Sequence, residues 1–289
     1  MDSALTTVAL PLALGIIMFG LGLSLTPADF RRVATAPKAV AVALGCQLIL
    51  LPVICFGLVK LLDLDPLLAV GMMLLAASPG GTSANLFSHL FRGDVALNVT
   101  LTAINSIVSI ISLPLITNFA INHYDLGDTV TLPFSEVVKV FAIVLIPVLL
   151  GMLVRARAAA FAARMDKPVR IGSAVILAVL VLGVLIDQRK DAAGYIADVG
   201  LAAGLFCAIS LVTGYVVPRA AGVREAQAVA SSMEIGVHNA NLAIYVAVEV
   251  LDSTEISIPA AVYSIFMFVF ATLWGFALTK RLAKTPQSV

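Results

Sequence analysis

Met233-Glu-Ile-Gly-Val-His-Asn-Ala-Asn241 places an acid, a glycine, a histidine and two asparagines within nine residues. The run around it, from about 225 to 250, is long and apolar enough to cross a membrane. An ionisable group at mid-helix depth costs roughly 2.5–3.5 kcal/mol on insertion scales, and persists where it faces a partner or a wet cavity. Glu234 is therefore read as a functional group, and the polar residues beside it as its setting.

The whole chain shares that apolar character. Of its 289 residues 61% are hydrophobic and 12% charged, against about 25% charged in soluble domains, and the mean hydropathy is +1.06. An all-α polytopic membrane protein follows. The net charge of +1 says little, because in such proteins the distribution of charge matters and its sum does not. No basic run points to nucleic acid as a partner; membrane lipid is the expected surrounding. Cys46, Cys55 and Cys207 all lie in apolar segments without metal-ligand spacing, and read as small buried hydrophobes. The first apolar run has neither a basic leader nor a clear cleavage site, so it is expected to be a retained helix.

Nine apolar runs of about 20 residues, each able to span a core of roughly 30 Å, lie near 6–25, 37–60, 66–91, 95–118, 133–154, 169–187, 196–217, 225–250 and 257–280. One side collects Arg31, Arg32, Lys38, Arg92, Arg155, Arg157, Arg164, Lys167, Arg170, Arg219, Arg224, Lys280, Arg281 and Lys284. The other collects Asp63, Asp65, Asp125, Asp128, Asp187, Asp191, Asp198, Asp252 and Glu255, with few basic residues. That asymmetry survives all nine crossings. By the positive-inside rule it predicts an N-terminus outside and a C-terminus in the cytoplasm.

Two spans are interrupted. The third carries Ser78-Pro-Gly-Gly-Thr-Ser83 at its middle. Proline removes a donor and clashes with the preceding turn, and Ser or Thr can cap a new start. A second half-helix is expected from near Thr82–Asn85. The eighth carries Gly236 followed by His238-Asn-Ala-Asn241, residue types that tolerate unwound backbone. The two broken spans lie five apart, an odd offset, so they run in opposite directions. The first four spans then correspond to the last four as inverted repeats, with the fifth unmatched. Discontinuous helices in matching positions of inverted repeats mark secondary transporters, whose sites lie where the half-helices meet.

Such a midplane site would hold Glu234 as its one full negative charge, with neutral oxygens from Asn85, Asn98, Thr102, Asn239 and Asn241. Unwound carbonyls suit Na⁺, and half-helix N-termini suit an anion. Asn98 and Thr102, four apart, share a helix face, and Asn105 and Ser109 continue that stripe. The plainer reading of Asn105 and Ser109 is a bond across helices. Gln47 divides evenly between interhelical contact and ion contact. His238 reads as a satisfied interior group, and His89 and His123 as interfacial.

Met18-Phe-Gly-Leu-Gly-Leu-Ser-Leu25, Ser78-Pro-Gly-Gly-Thr-Ser-Ala-Asn85 and Glu234-Ile-Gly-Val-His-Asn239 together resemble the bile acid:sodium symporter family, over nearly the whole chain. Bacterial homologues of the intestinal apical sodium-dependent bile acid transporter belong to it. The resemblance implies a nine-helix form of a ten-helix fold, in a bacterial inner membrane. It implies a core domain from the helices near 66–118 and 225–280, and a panel domain from those near 6–60 and 133–217. It implies two sodium sites behind the crossing helices, with Na⁺ as coupling ion and no cofactor. Asn85, Thr102 and Glu234, with Asn98 alongside, would form the first. Backbone carbonyls of Glu234, Ile235 and Val237, with Gln47 and His238, would form the second. An organic anion, a bile acid or a smaller carboxylate, would bind near Thr82 and Asn239. The function implied is sodium-coupled import by alternating access. A cation/proton antiporter or metalloid efflux carrier is the alternative, a channel or sensor a more distant one, and no zinc motif or paired mid-span acids suggest an enzyme.

Three positions depart from the family pattern: Ala84 and Asn98 stand where serine is usual, and His238 where glutamine is usual. Hard cations prefer oxygen to imidazole nitrogen. The second sodium site is thereby in question, leaving either one Na⁺ or a proton on His238 in place of the second. Uptake measured against pH in wild type and His238→Gln separates these, and an unchanged sodium stoichiometry and pH profile in the variant removes the proton hypothesis.

Overall fold

Proline and aspartate set the helix starts. The structure, a computed structural model, describes residues 10–26, 28, 35–127, 132–165 and 192–284, with single positions at 168, 171, 172, 175 and 179. After α1 (Leu10–Ser24), α2 (Pro37–Leu61) begins with Pro37 in its first turn, where the missing N–H costs nothing. Asp65 caps α3 (Pro66–Ala77) by accepting from the Leu67 amide at 2.9 Å. α4 (Thr82–Leu90) follows, and Asp94 caps α5 (Val95–His123) through the Leu97 amide at 3.1 Å. The remaining helices are α6 (Phe134–Arg157), α7 (Ala192–Ala220), α8 (Glu225–Gly236), α9 (Ala240–Val250) and α10 (Thr254–Lys284).

Left-handed residues end five of these helices: Asp63 (φ 49°), Arg92 (φ 61°), Asp125 (φ 53°), Gly222 (φ 76°) and Asp252 (φ 48°). Bonds such as Leu64 N to Val59 O (3.1 Å) and Gly93 N to Ser88 O (2.7 Å) close the last turns, satisfying carbonyls that a helix end leaves open.

Among the described residues five helices are long and apolar enough to cross a membrane: α2, α5 and most of α6, α7 and α10. Eight of the nine expected spans fall on described helices. The sixth, near 169–187, lies almost wholly outside the described residues. Both expected interruptions are present. Ser78 is extended (φ −72°, ψ 141°), as the residue before a proline prefers, and α4 begins at Thr82. α8 stops at Gly236 and α9 starts at Ala240.

The two unwound stretches pair with each other. Gly81 N donates to Val237 O at 2.8 Å and Asn239 N to Pro79 O at 2.8 Å, forming one antiparallel bridge between Gly80 and His238. In hydrocarbon every backbone polar group needs a partner within the protein, and here each break supplies the other's. A π-helical turn in α2 at Cys46–Leu50 was not anticipated; it contains Gln47, and such turns often sit at functional sites.

Around the bridge, α8 packs on α4, α5 and α7, and α10 on α3, α7 and α9. α2 lies against α3, while α1 packs chiefly on α6. Small residues let backbones approach. A Cβ on Gly22 would lie 2.1 Å from Val148 O, and one on Gly151 2.4 Å from Phe19 O. α1 and α6 therefore touch backbone to backbone, as glycine interfaces in membranes allow.

Gly22→Leu is expected to destabilise the protein by about 1–3 kcal/mol, the usual cost of overpacking, measured by thermal unfolding in detergent. Gly57→Leu, at a site where a Cβ meets nothing within 4 Å, should leave the melting temperature nearly unchanged.

Candidate ion-binding site

Glu234 lies on the last turn of α8 with no exposed surface. Thr102 Oγ1 of α5 donates to its Oε2 at 2.5 Å, and Asn105 Nδ2 donates to its Oε1 at 3.2 Å. The Thr102 hydroxyl also lies 3.0 Å from Asn98 O. Gly80 meets the carboxylate from the break between α3 and α4. A Cβ there would lie 2.3 Å from Glu234 Cδ and Oε1, so the carboxylate occupies the space a side chain would fill.

Buried amides of α5 lie near this acid. Asn98 Nδ2 donates to Ala230 O at 2.8 Å, one turn before Glu234 on α8. Its nitrogen thus faces a carbonyl, and its Oδ1 is buried without a partner. Asn105 follows the same logic: nitrogen on the carboxylate, oxygen buried and unpartnered. Asn85 on α4 and Asn241 on α9 also carry buried, unpartnered Oδ1 atoms. A buried acceptor without a donor costs about 1–3 kcal/mol. Unpartnered amide oxygens near a carboxylate, as at Asn98 and Asn105, are the kind of group that a hard cation satisfies.

The second expected set lies on the other side of the unwound segment. Gln47 Nε2 donates to Ser78 O at 3.1 Å and faces His238 Nε2 at 3.4 Å. His238 Nδ1 is 3.0 Å from Tyr263 Oη, which donates to Gly236 O at 2.9 Å. The Val237 carbonyl accepts the bridge bond from Gly81, and Ile235 is fully buried. Asn239 Oδ1 caps α9 by accepting from the Leu242 amide at 3.2 Å. The Thr82 side chain lies outside the described residues; its backbone starts α4.

The structure therefore joins Glu234 directly to Thr102, with Asn98 a turn away, and joins Gln47 to His238. Asn105 is more than the interhelical contact it resembles in sequence, since its amide holds the acid; its place seven residues after Asn98 on one stripe was the available signal. Ser109 bonds within its own helix and not across helices, donating to Ser106 O at 2.9 Å. Gly80 and Tyr263 escaped the sequence reading. A phenol within the apolar run 257–280 signals a hydrogen-bond partner without saying which.

Two broken helices that cross through mutual backbone bonds, beside a buried acid, have the architecture of a secondary transporter. A model of the Sodium Bile acid symporter family matches residues 11–193, and the chain belongs to that family. It is 30% identical over 279 residues to the probable sodium/metabolite cotransporter BASS1, chloroplastic, of Arabidopsis thaliana, covering 93% of this chain and 67% of that protein. Identity to the uncharacterized sodium-dependent transporter YocS of Bacillus subtilis is 26% over 289 residues, covering 95% and 85%. For the human ileal sodium/bile acid cotransporter it is 23% over 298 residues, covering 99% and 85%. Members of the family are transporters and not enzymes.

Gly80→Ala should lower stability by about 1–3 kcal/mol, because the methyl meets the carboxylate. In the double variant with Glu234→Ala the clash partner is gone, so the two losses should be less than additive. Thermal unfolding of all four proteins checks this, and strict additivity would place the strain elsewhere.

Proposed function

We propose that this protein is a sodium-coupled symporter that imports an organic anion by alternating access. The observation that carries the reading is the Glu234 carboxylate, fully buried at the helix crossing among amide oxygens that lack donors. Na⁺ would bind between Glu234, Thr102, Asn98, Asn85 and Asn105, neutralising the acid and completing those oxygens. Gln47, Ile235, Val237 and His238 line the opposite side of the unwound segment and support its shape. The anion would bind near Thr82 and Asn239, where α4 and α9 begin and helix N-termini favour negative charge.

Binding of Na⁺ would stiffen the unwound backbone that also forms the anion site, so each ligand raises the affinity for the other. The relatives' names give the substrate range: a bile acid for the human ileal protein and a metabolite for the plant one. An organic carboxylate is common ground for this chain.

The proposed topology has nine spans, an outside N-terminus, a cytoplasmic C-terminus and inverted repeats that place α3/α4 opposite α8/α9. Contacts favour a moving division different from the one expected from sequence. α2 packs on α3, and α7 packs on α8 and α10, so both group with the core. α1 and α6 group as panel.

In proteoliposomes, uptake of a labelled organic anion should require an inward Na⁺ gradient, and Glu234→Gln should reduce it at least ten-fold. Sodium-driven export instead of import would identify an antiporter, and flux without saturation a channel.

A further inference from the structure

Both ring nitrogens of His238 are engaged, and neither partner is an acid. Nδ1 lies 3.0 Å from Tyr263 Oη, and Nε2 lies 3.4 Å from Gln47 Nε2. The direction of each bond follows from the partners. Tyr263 Oη is also 2.9 Å from Gly236 O. A carbonyl only accepts, so the phenol's one proton goes to Gly236. The phenol oxygen is then the acceptor toward His238, which places a proton on Nδ1. At the other end, the Gln47 amide nitrogen is held by Ser78 O at 3.1 Å, with Ala76 O at 3.5 Å. An amide nitrogen only donates, so His238 Nε2 accepts. Every proton points one way, from Gln47 through His238 and Tyr263 to Gly236 O. A second proton on the ring would set donor against donor where His238 is 1% exposed.

This chain of bonds ties together the π turn of α2, the unwound stretch between α8 and α9, and α10. Phe206 of α7 packs over both rings, its centroid 5.6 Å from that of His238 and 6.0 Å from that of Tyr263. The two polar clusters at the crossing are thus of opposite kinds. The Glu234 cluster is acidic and has spare acceptors. The His238 cluster is neutral with its protons assigned, and among its side chains only Gln47 Oε1 is an unpartnered buried acceptor. The main-chain carbonyls that end this side of the helix are held as well, Gly236 O by Tyr263 and Val237 O by the Gly81 amide.

We propose that Tyr263 and His238 are positioning residues that lock the unwound segment through a neutral hydrogen-bonded chain and thereby set the Na⁺ affinity of the Glu234 cluster. The inference rests on the symporter reading above. Gly236 O, where the chain of bonds ends, lies two residues from Glu234. Holding that carbonyl holds the turn that aims the carboxylate, so the lock acts on Na⁺ affinity from outside the ion's own ligands.

The test is equilibrium binding of radioactive Na⁺ to the purified full-length protein in detergent, with thermal unfolding of the same samples. Wild type should bind Na⁺ saturably. Tyr263→Phe, which removes the donor to Gly236 and the acceptor for His238, should bind it with affinity at least five-fold weaker. His238→Asn carries Nδ2 where the ring has Nδ1, so its loss of affinity should be smaller than that of His238→Ala. A Tyr263→Phe protein with a lower melting temperature and unchanged Na⁺ affinity overturns this inference and leaves the symporter reading standing. No Na⁺ binding by wild type overturns both readings. Should Tyr263→Phe fail to fold, the two His238 variants decide, and unchanged Na⁺ affinity in His238→Ala overturns the inference.

Discussion

A carboxylate with no exposed surface keeps its place only if its oxygens are held, and those of Glu234 are held from one helix and enclosed by another stretch of chain. Thr102 and Asn105 approach from α5, and Gly80, in the break between α3 and α4, lies against the carboxylate. Each holder imposes a demand on the fold. α5 must present one polar stripe to α8. The chain at Gly80 must be unwound to pass beside the acid, and it must carry no side chain there. Unwinding in turn exposes backbone groups, which the second break satisfies through the bridge to Val237 and Asn239. The buried acid and the crossing are one requirement met by two distant pieces of chain.

Glycine serves this architecture by letting main chain come close at several other seams. Gly71 brings α3 onto the Ile256 carbonyl of α10, and Gly214 brings α7 onto Ser232 of α8. Ser232 Oγ then donates to Leu211 O at 2.6 Å and accepts from Trp274 Nε1 at 3.0 Å. In an apolar solvent, packing and such interhelical bonds take over part of what water exclusion does in soluble proteins. They concentrate around the crossing helices, whereas α1 and α6 meet mainly each other.

Much of this was legible beforehand because it follows from covalent chemistry and charge. Pro79 with two glycines breaks a helix whatever surrounds it, and Asp65 and Asp94 cap helices from local geometry alone. Glu234 was conspicuous because an acid in an apolar run is costly anywhere. What stayed hidden depends on partners far along the chain. Asn105 looks like any interhelical amide until α8 is placed beside it. Gly80 looks like simple flexibility, although its lack of a side chain is what admits the carboxylate. Tyr263 gains its meaning only from His238 and Gly236. The π turn around Gln47 has no local signature in its sequence, Cys46-Gln-Leu-Ile-Leu50.

The bridge also bears on how the protein is made. Its strands come from residues 79–81 and 237–239, roughly 160 residues apart. At 1.5 Å per residue, the twelve-residue helices α3 and α8 are each about 18 Å long, well short of the roughly 30 Å hydrocarbon core. During synthesis the first break therefore reaches the bilayer with Pro79 O and Gly81 N still lacking the partners they have in the finished fold. Those partners are translated only after α5, α6 and α7. The early half must be sheltered in the interval, by neighbouring helices, by water or by the insertion machinery, and it is complete only when the second half arrives.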